Sequence, residues 1–258
     1  MSGSHHATAL HQLAVPGHSL VHRLAPQAKL VGLVTFVVTV AVTPRHAVAV
    51  FGIDAAVLAA VLLCSGIGVR TAAVRVLVVA PFLLAALFVP FVAHGTKVDV
   101  FGVSLSVEGL WAAFNIAIKA VLGAGAAVIL SATTPLPELL AALGRLRVPA
   151  VFVAIVASMI RYVDLLADQL ARMRTAMVAR CHDPRWLWQL RPIASSLGVV
   201  FVRSYERGER VHLAMASRGF DGTMPVLHER SVTRSEWALG LTPGVVAIVA
   251  LVGWLVLR

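Results

Sequence analysis

Charge is scarce in this sequence. Only 13% of its 258 residues are Asp, Glu, Lys or Arg, against roughly 25% in ordinary soluble domains, while 59% are hydrophobic and the mean hydropathy is +0.88. That balance excludes a soluble globular domain. Cysteine is nearly absent, and Cys64 and Cys181 are too few for a disulfide framework, so both are expected to be reduced. Lysine occurs only at positions 29, 97 and 119. There is no GxxxxGK[ST] loop, no HExxH, no CxxC and no GxSxG, so nothing in the chain points to catalysis or nucleotide hydrolysis. The stretch up to Leu24 lacks a basic region followed by a compact apolar core and a small-residue cleavage site, so the first span is expected to direct insertion itself.

What the chain has in abundance is uncharged length. Between Lys29 and Arg45 lie 15 residues without charge, short for a span but able to cross if the flanking cations reach out to the interfaces. A second span runs from His46 to Val69, interrupted by Asp54. The third runs from Val76 to about Ala93 with Pro81 and Pro90 as expected kinks, and the fourth from Gly109 to about Thr134, interrupted by Lys119. The last is Trp237 to Leu257. The expected fold is an all-α membrane protein of about five transmembrane helices. Its expected parts are a tail over 1–28, a four-span region over 29–134, a charged region over 135–236 and a terminal span over 237–258.

Region 135–236 has a different texture. Two uncharged pieces, Val148–Ile160 and Pro192–Val202, hold 13 and 11 residues, below spanning length, and each leads into an amphipathic pattern. In the first, Met159, Val163, Leu166, Leu170, Met173 and Met177 recur at helical spacing; in the second, Phe201, Tyr205, Gly208, Val211 and Met215 give a weaker stripe. A shorter helix is expected in PLPELLAALGRLRVP (135–149), with Leu136, Leu139, Leu140 and Leu143 on one face. The region carries fourteen arginines and nine acids. With the N-terminus in the cytoplasm, those arginines join Arg23, Lys29, Arg70 and Arg75 inside, and the outer loops keep Arg45 and Lys97. The net charge of +10 is therefore read as topology rather than as nucleic-acid binding.

Two arginines close the two amphipathic helices in similar surroundings, Ala179-Arg180-Cys181 before Asp183-Pro184, and Ser217-Arg218-Gly219. Small neighbours at a helix end expose a guanidinium for bidentate pairing with a partner's carboxylates, though a cation there also complements the helix dipole. Asp54 and Lys119 are ionisable groups within expected spans, about 8 and 10 residues from the outer helix ends, roughly 12 and 15 Å deep. A structural ion pair between them is the leading expectation, ahead of solitary snorkelling or a partner contact. His5, His6, His11, His18 and His22 crowd the tail at irregular spacing without carboxylate or thiol support, which favours a solvated tail over a metal site. Gly240-Leu241-Thr242-Pro243-Gly244 fits GxxxG, but its proline favours ordinary close packing over helix dimerisation.

Taken together, these motifs resemble the transmembrane T component of energy-coupling-factor (ECF) transporters, of the CbiQ type found in cobalt importers. The resemblance rests on the paired motifs at Arg180 and Arg218 and on HRLAPQAK (22–29), TTPLPELLAALGRLRVP (133–149) and RSYERGERVHLAMASRGFDG (203–222), and it covers the chain from about residue 18 onward. It implies a non-enzymatic subunit without cofactor or bound metal, in the bacterial plasma membrane, whose cytoplasmic coupling helices cross one another between spans four and five. By the same resemblance, Ala179, Arg180, Cys181, Ser217, Arg218 and Gly219 dock into two ABC-type ATPase subunits, which drive a membrane-embedded substrate-binding S component. Cobalt is the expected substrate, with nickel, biotin or another vitamin as alternatives. Cys181 stands where the family has glycine, so the first helix is expected to end differently from the second. A membrane enzyme or a self-sufficient channel would need converging polar groups in several spans, and only Asp54 and Lys119 qualify.

Overall fold

The computed structural model describes residues 19–93, 97–100, 103–181, 191–220, 222 and 232–257. They fall into two compact units, one running from Ser19 to Ala142 together with 232–257, the other from Leu143 to Gly222. Nearly all of the described chain is helical, and five helical segments are long and apolar enough to cross a membrane. The chain is an all-α membrane protein.

The first unit opens with α1 (Leu20–Arg23), then α2 (Pro26–Val42) and α3 (Val48–Ser65). Pro26 stands in the first turn of α2, where its missing N–H is no loss. The third span is one continuous segment, Val69–Val92, made of α4 (Val69–Val76), a 3-10 turn (Leu77–Val79) and α5 (Ala80–Val92). The turn falls just before Pro81, which sits in the first turn of α5, while Pro90 lies inside α5. Then comes a two-stranded antiparallel hairpin that the sequence reading missed, β1 (Lys97–Val100) and β2 (Val103–Ser106), with Lys97 opposite Ser106. Its alternation over only four residues a side is too short a signal to stand out. Ser106 caps α6 (Val107–Thr133), accepting a hydrogen bond from the Gly109 N–H, and α7 (Leu136–Arg145) follows.

After the second unit the chain returns as α10 (Arg234–Val256). This helix opens on a capping box, with the Thr233 hydroxyl over the first turn and the Glu236 carboxylate accepting from the Thr233 N–H. Leu33, Phe36 and Val40 of α2 meet Phe51 of α3, Leu122 and Ala126 of α6, and Ala247 of α10 in one core. The GxxxG glycines serve packing inside the chain: a Cβ on Gly240 would lie 2.7 Å from the Ala28 Cβ, and one on Gly32 would lie 1.8 Å from the Gly240 carbonyl oxygen. Helices in lipid associate through such close approach, because burial of apolar surface drives nothing there. Thr39, Thr43 and Thr133 satisfy their hydroxyls on carbonyls one turn back, each at 2.8 Å.

The second unit holds α8 (Ala150–Ala179) and α9 (Arg191–Ala216). The uncharged pieces 148–160 and 192–202 continue without a break into the charged stretches, as the periodicity predicts. By length and composition α8 also counts among the five candidate spans, whereas α2, at 17 residues, falls just short. The five spans read from the sequence therefore differ from these five by that one exchange, because an uninterrupted 30-residue helix carries its apolar half past the first charge. No residue of α8 is fully buried.

Candidate functional site

The helix ends of the second unit are built alike. At the end of α9, the Gly219 N–H donates to the Ala216 carbonyl (3.0 Å) and the Phe220 N–H to the Met215 carbonyl (3.1 Å), with Gly219 left-handed at φ 80°. This is a Schellman stop, in which a left-handed residue turns the chain back onto the last free carbonyls. Arg218 is the residue just before it, exposed, with its own N–H on the Met215 carbonyl.

The end of α8 repeats the arrangement as far as Cys181, its last described residue. Arg180 is the C-cap at φ −93° and donates its N–H to the Met177 carbonyl at 3.0 Å, while Cys181 is left-handed at φ 58° and donates to the Val178 carbonyl at 2.9 Å. The expectation that cysteine would end this helix differently is therefore corrected. The thiol-bearing residue takes up the glycine-like conformation, at a steric cost of about 1 kcal/mol. Arg180 and Arg218 thus occupy the same position on two helix ends, both exposed, and neither guanidinium is bonded to another described residue. A third stop of this kind closes α7: Arg147 is left-handed at φ 63°, and the Val148 N–H donates to the Leu143 carbonyl. Pro149 then caps α8.

Between the ends, α8 and α9 pack across a cavity of about 230 Å³. Leu166 of the α8 stripe and Gly208, Val211 and Met215 of the α9 stripe line it, whereas Met159, Phe201 and Tyr205 are exposed. Val163 and Leu170 are exposed as well, so most of the α8 stripe is not spent on α9. From Leu166 to Arg180 is about 14 residues, roughly 21 Å of helix, and from Val211 to Arg218 about 7, roughly 10 Å.

The expected intramembrane pair does not form. Lys119 donates from Nζ to the Ala41 carbonyl at 2.8 Å, so it caps the last turn of α2. Asp54 is wholly buried on the core face of α3, and neither carboxylate oxygen has a hydrogen-bond partner among the described residues. Their depths match, but depth fixes only height along a helix; the direction in which each residue points also has to agree. Lys29, expected to reach for the interface, is instead 4% exposed and donates from Nζ to the Thr133 carbonyl at 3.2 Å. It neutralises the C-terminal end of α6. Sequence reading missed this role, whose signal was a lysine one turn into α2 in an otherwise lysine-poor chain. Among the described residues no group of three His, Cys, Asp or Glu could hold a metal, and His5, His6, His11 and His18 lie outside them.

A family profile described as CbiQ, cobalt transport protein, matches residues 17–228. The chain belongs to the CbiQ family of cobalt transport proteins. Among CbiQ relatives, the cobalt transport protein CbiQ of Rhodobacter capsulatus is 34% identical over 141 residues, 54% of this chain and 57% of that protein. A putative fused cobalt transport protein CbiMQ of Methanocorpusculum labreanum is 23% identical over 133 residues, 52% of this chain and 22% of that protein. The alignment thus spans little more than half of the first relative and a fifth of the fused one. The profile takes in all three left-handed helix stops and both arginines, 180 and 218.

Proposed function

We propose that this CbiQ-family chain is the energy-coupling T component of an ATP-driven ECF importer, serving cobalt uptake. Its partners on this reading are two ABC-type ATPase subunits at the tips of α8 and α9 and a membrane-embedded S component that selects the ion. The observation that carries the proposal is the equivalence of Arg180 and Arg218, two guanidinium groups without a partner among the described residues, in the same register on two helix ends. A fork-shaped cation at a rigid stop suits bidentate docking into an acidic recess.

The chain has no hydrolytic machinery of its own, so ATP hydrolysis is assigned to the partners. Their closure would draw the two tips together or apart, and α8 and α9, as uninterrupted helices of 30 and 26 residues, carry that displacement as rigid bodies. In this reading residues 135–236 lie in the cytoplasm between spans four and five, the N-terminus is also cytoplasmic, and residues 1–28, 29–134 and 237–258 form the tail, the four-span region and the last span. No step places cobalt on this chain.

Truncating one side of a buried, hydrogen-bonded charge pair costs about 2–5 kcal/mol, or roughly 30-fold to several-thousand-fold in affinity. Arg218→Ala should therefore strip the ATPases from the purified complex and reduce uptake while the subunit stays in the membrane. Normal uptake by the Arg180→Ala, Arg218→Ala double variant would overturn the assignment. Competition of labelled Co²⁺ uptake by Ni²⁺ or biotin tests the substrate separately.

A further inference from the structure

We infer that the start of α2 is the junction where movement of the second unit enters the membrane bundle, with Lys29 as its positioning residue; this rests on the coupling role proposed above. The chain runs out of the first unit past the end of α6 and comes back to it at Thr233, the cap of α10. Both connections converge on two consecutive residues of α2. Lys29 donates from Nζ to the carbonyl of Thr133, the last residue of α6, at 3.2 Å, and both residues are buried. Ala28, wholly buried beside it, meets α10 about two turns past Thr233: a Cβ placed on Gly240 would lie 2.8 Å from the Ala28 carbonyl carbon and 3.0 Å from its oxygen. Gly32, one turn further along α2, meets the same glycine.

The two links differ in kind, and the difference singles out Lys29. The link to α10 is backbone against backbone, stiff by close packing. The link to α6 is polar and runs through one ammonium group. A helix carbonyl is normally met by the N–H four residues on, and for Thr133 that residue is Pro137, which has none. The Thr133 hydroxyl is spent on the Ile129 carbonyl and the Thr134 N–H on that of Leu130, so the carbonyl that ends α6 is left for Lys29. Displacement arriving through α7 is carried by this bond into α2, and by the Ala28 contact into α10. Without it, the end of α6 can give at Thr134, where the backbone is already extended, and the stroke is taken up in the joint instead of moving the bundle.

The test uses the assembled importer in proteoliposomes, with labelled Co²⁺ uptake and ATP hydrolysis read from the same vesicles. Lys29→Met should leave the ATPases bound and hydrolysing while the ions moved per ATP fall by about tenfold, the equilibrium worth of one hydrogen bond to a charged group. Lys29→Arg, which keeps a cationic donor, should restore most of that ratio. Ala28→Gly loosens the other link without adding bulk and should lower the ratio in the same direction, which keeps the junction testable if Lys29→Met assembles poorly. Val40→Ala separates coupling from stability: it opens a cavity in the same core about three turns along α2, and should lower the unfolding temperature with the ratio unchanged. An unchanged ratio in the assembled Lys29→Met complex, an unchanged ratio in Ala28→Gly, or an equal fall in Val40→Ala each overturns the junction. Normal uptake by the Arg180→Ala, Arg218→Ala variant would sink the coupling role itself, whereas loss of uptake there beside an unchanged ratio in Lys29→Met sinks the junction alone.

Discussion

Replacing Gly32 with alanine, the smallest possible insertion, should unseat α10 from α2. The added Cβ would sit 1.8 Å from the Gly240 carbonyl oxygen and 2.8 Å from its carbon. Such contacts do not fall below about 3.0 Å, so the two backbones must separate locally by about 1.2 Å. Neither obstructing atom belongs to a side chain that could rotate away. A gap of 0.5–1 Å already forfeits a quarter to a half of each dispersion contact along the seam, and in lipid no hydrophobic term offsets that loss. Ala28, Thr35, Gly240 and Gly244 all lie on this seam. Overpacking by a methylene in a filled core costs about 1–3 kcal/mol, and backbone obstruction puts Gly32→Ala at the upper end, about 3 kcal/mol. Gly52→Ala is the matched control, because a Cβ there meets nothing within 4 Å and alanine is the better helix former by about 0.5–1 kcal/mol. Thermal unfolding of both variants in one detergent, followed by tryptophan fluorescence, gives the comparison. If Gly32→Ala unfolds where Gly52→Ala does, the close seam between α2 and α10 is refuted.

Three further outcomes follow from other parts of the molecule. Cys181→Gly should stabilise the end of α8 by about 1 kcal/mol, seen as slower amide exchange in its last turn, with uptake undiminished, whereas Cys181→Val should weaken it. Lys29→Met leaves the Thr133 carbonyl without its cation and should cost about 1–3 kcal/mol in the same unfolding assay, with Lys29→Arg closer to wild type. Exchanging charges by combining Asp54→Lys with Lys119→Asp should restore nothing beyond the worse single variant, since Lys119 bonds to Ala41 and Asp54 to none of the described residues; rescue of membrane expression would reinstate the pair.

Much of the architecture was legible because membrane helices announce themselves by uncharged length alone: α3, α6 and α10 fall within four residues of their expected bounds. The glycines at 240 and 244 were equally legible as packing positions, since a proline between them argued against a dimer seam. What the sequence could not supply was direction around a helix. Asp54 and Lys119 agree in depth, and charge counting has no further coordinate with which to separate them; only the packed bundle shows one turned into the core and the other turned toward α2. Lys29 failed for the related reason that a lysine at a helix start reads as snorkelling unless the neighbouring helix end is known, and its partner carbonyl lies 104 residues away.

The same limit, seen from its favourable side, explains why the candidate site was legible. A helix stop is a local event, decided by four or five consecutive residues, so Ala179-Arg180-Cys181 and Ser217-Arg218-Gly219 could be recognised as equivalent without any tertiary information. Even there, composition misjudged Cys181, because propensity speaks of which residue is cheapest at a left-handed position and not of whether the position is left-handed. The φ of 58° at Cys181 settles that point. Cysteine at this left-handed position costs about 1 kcal/mol, and the helix still ends with Arg180 in the register that Gly219 gives Arg218.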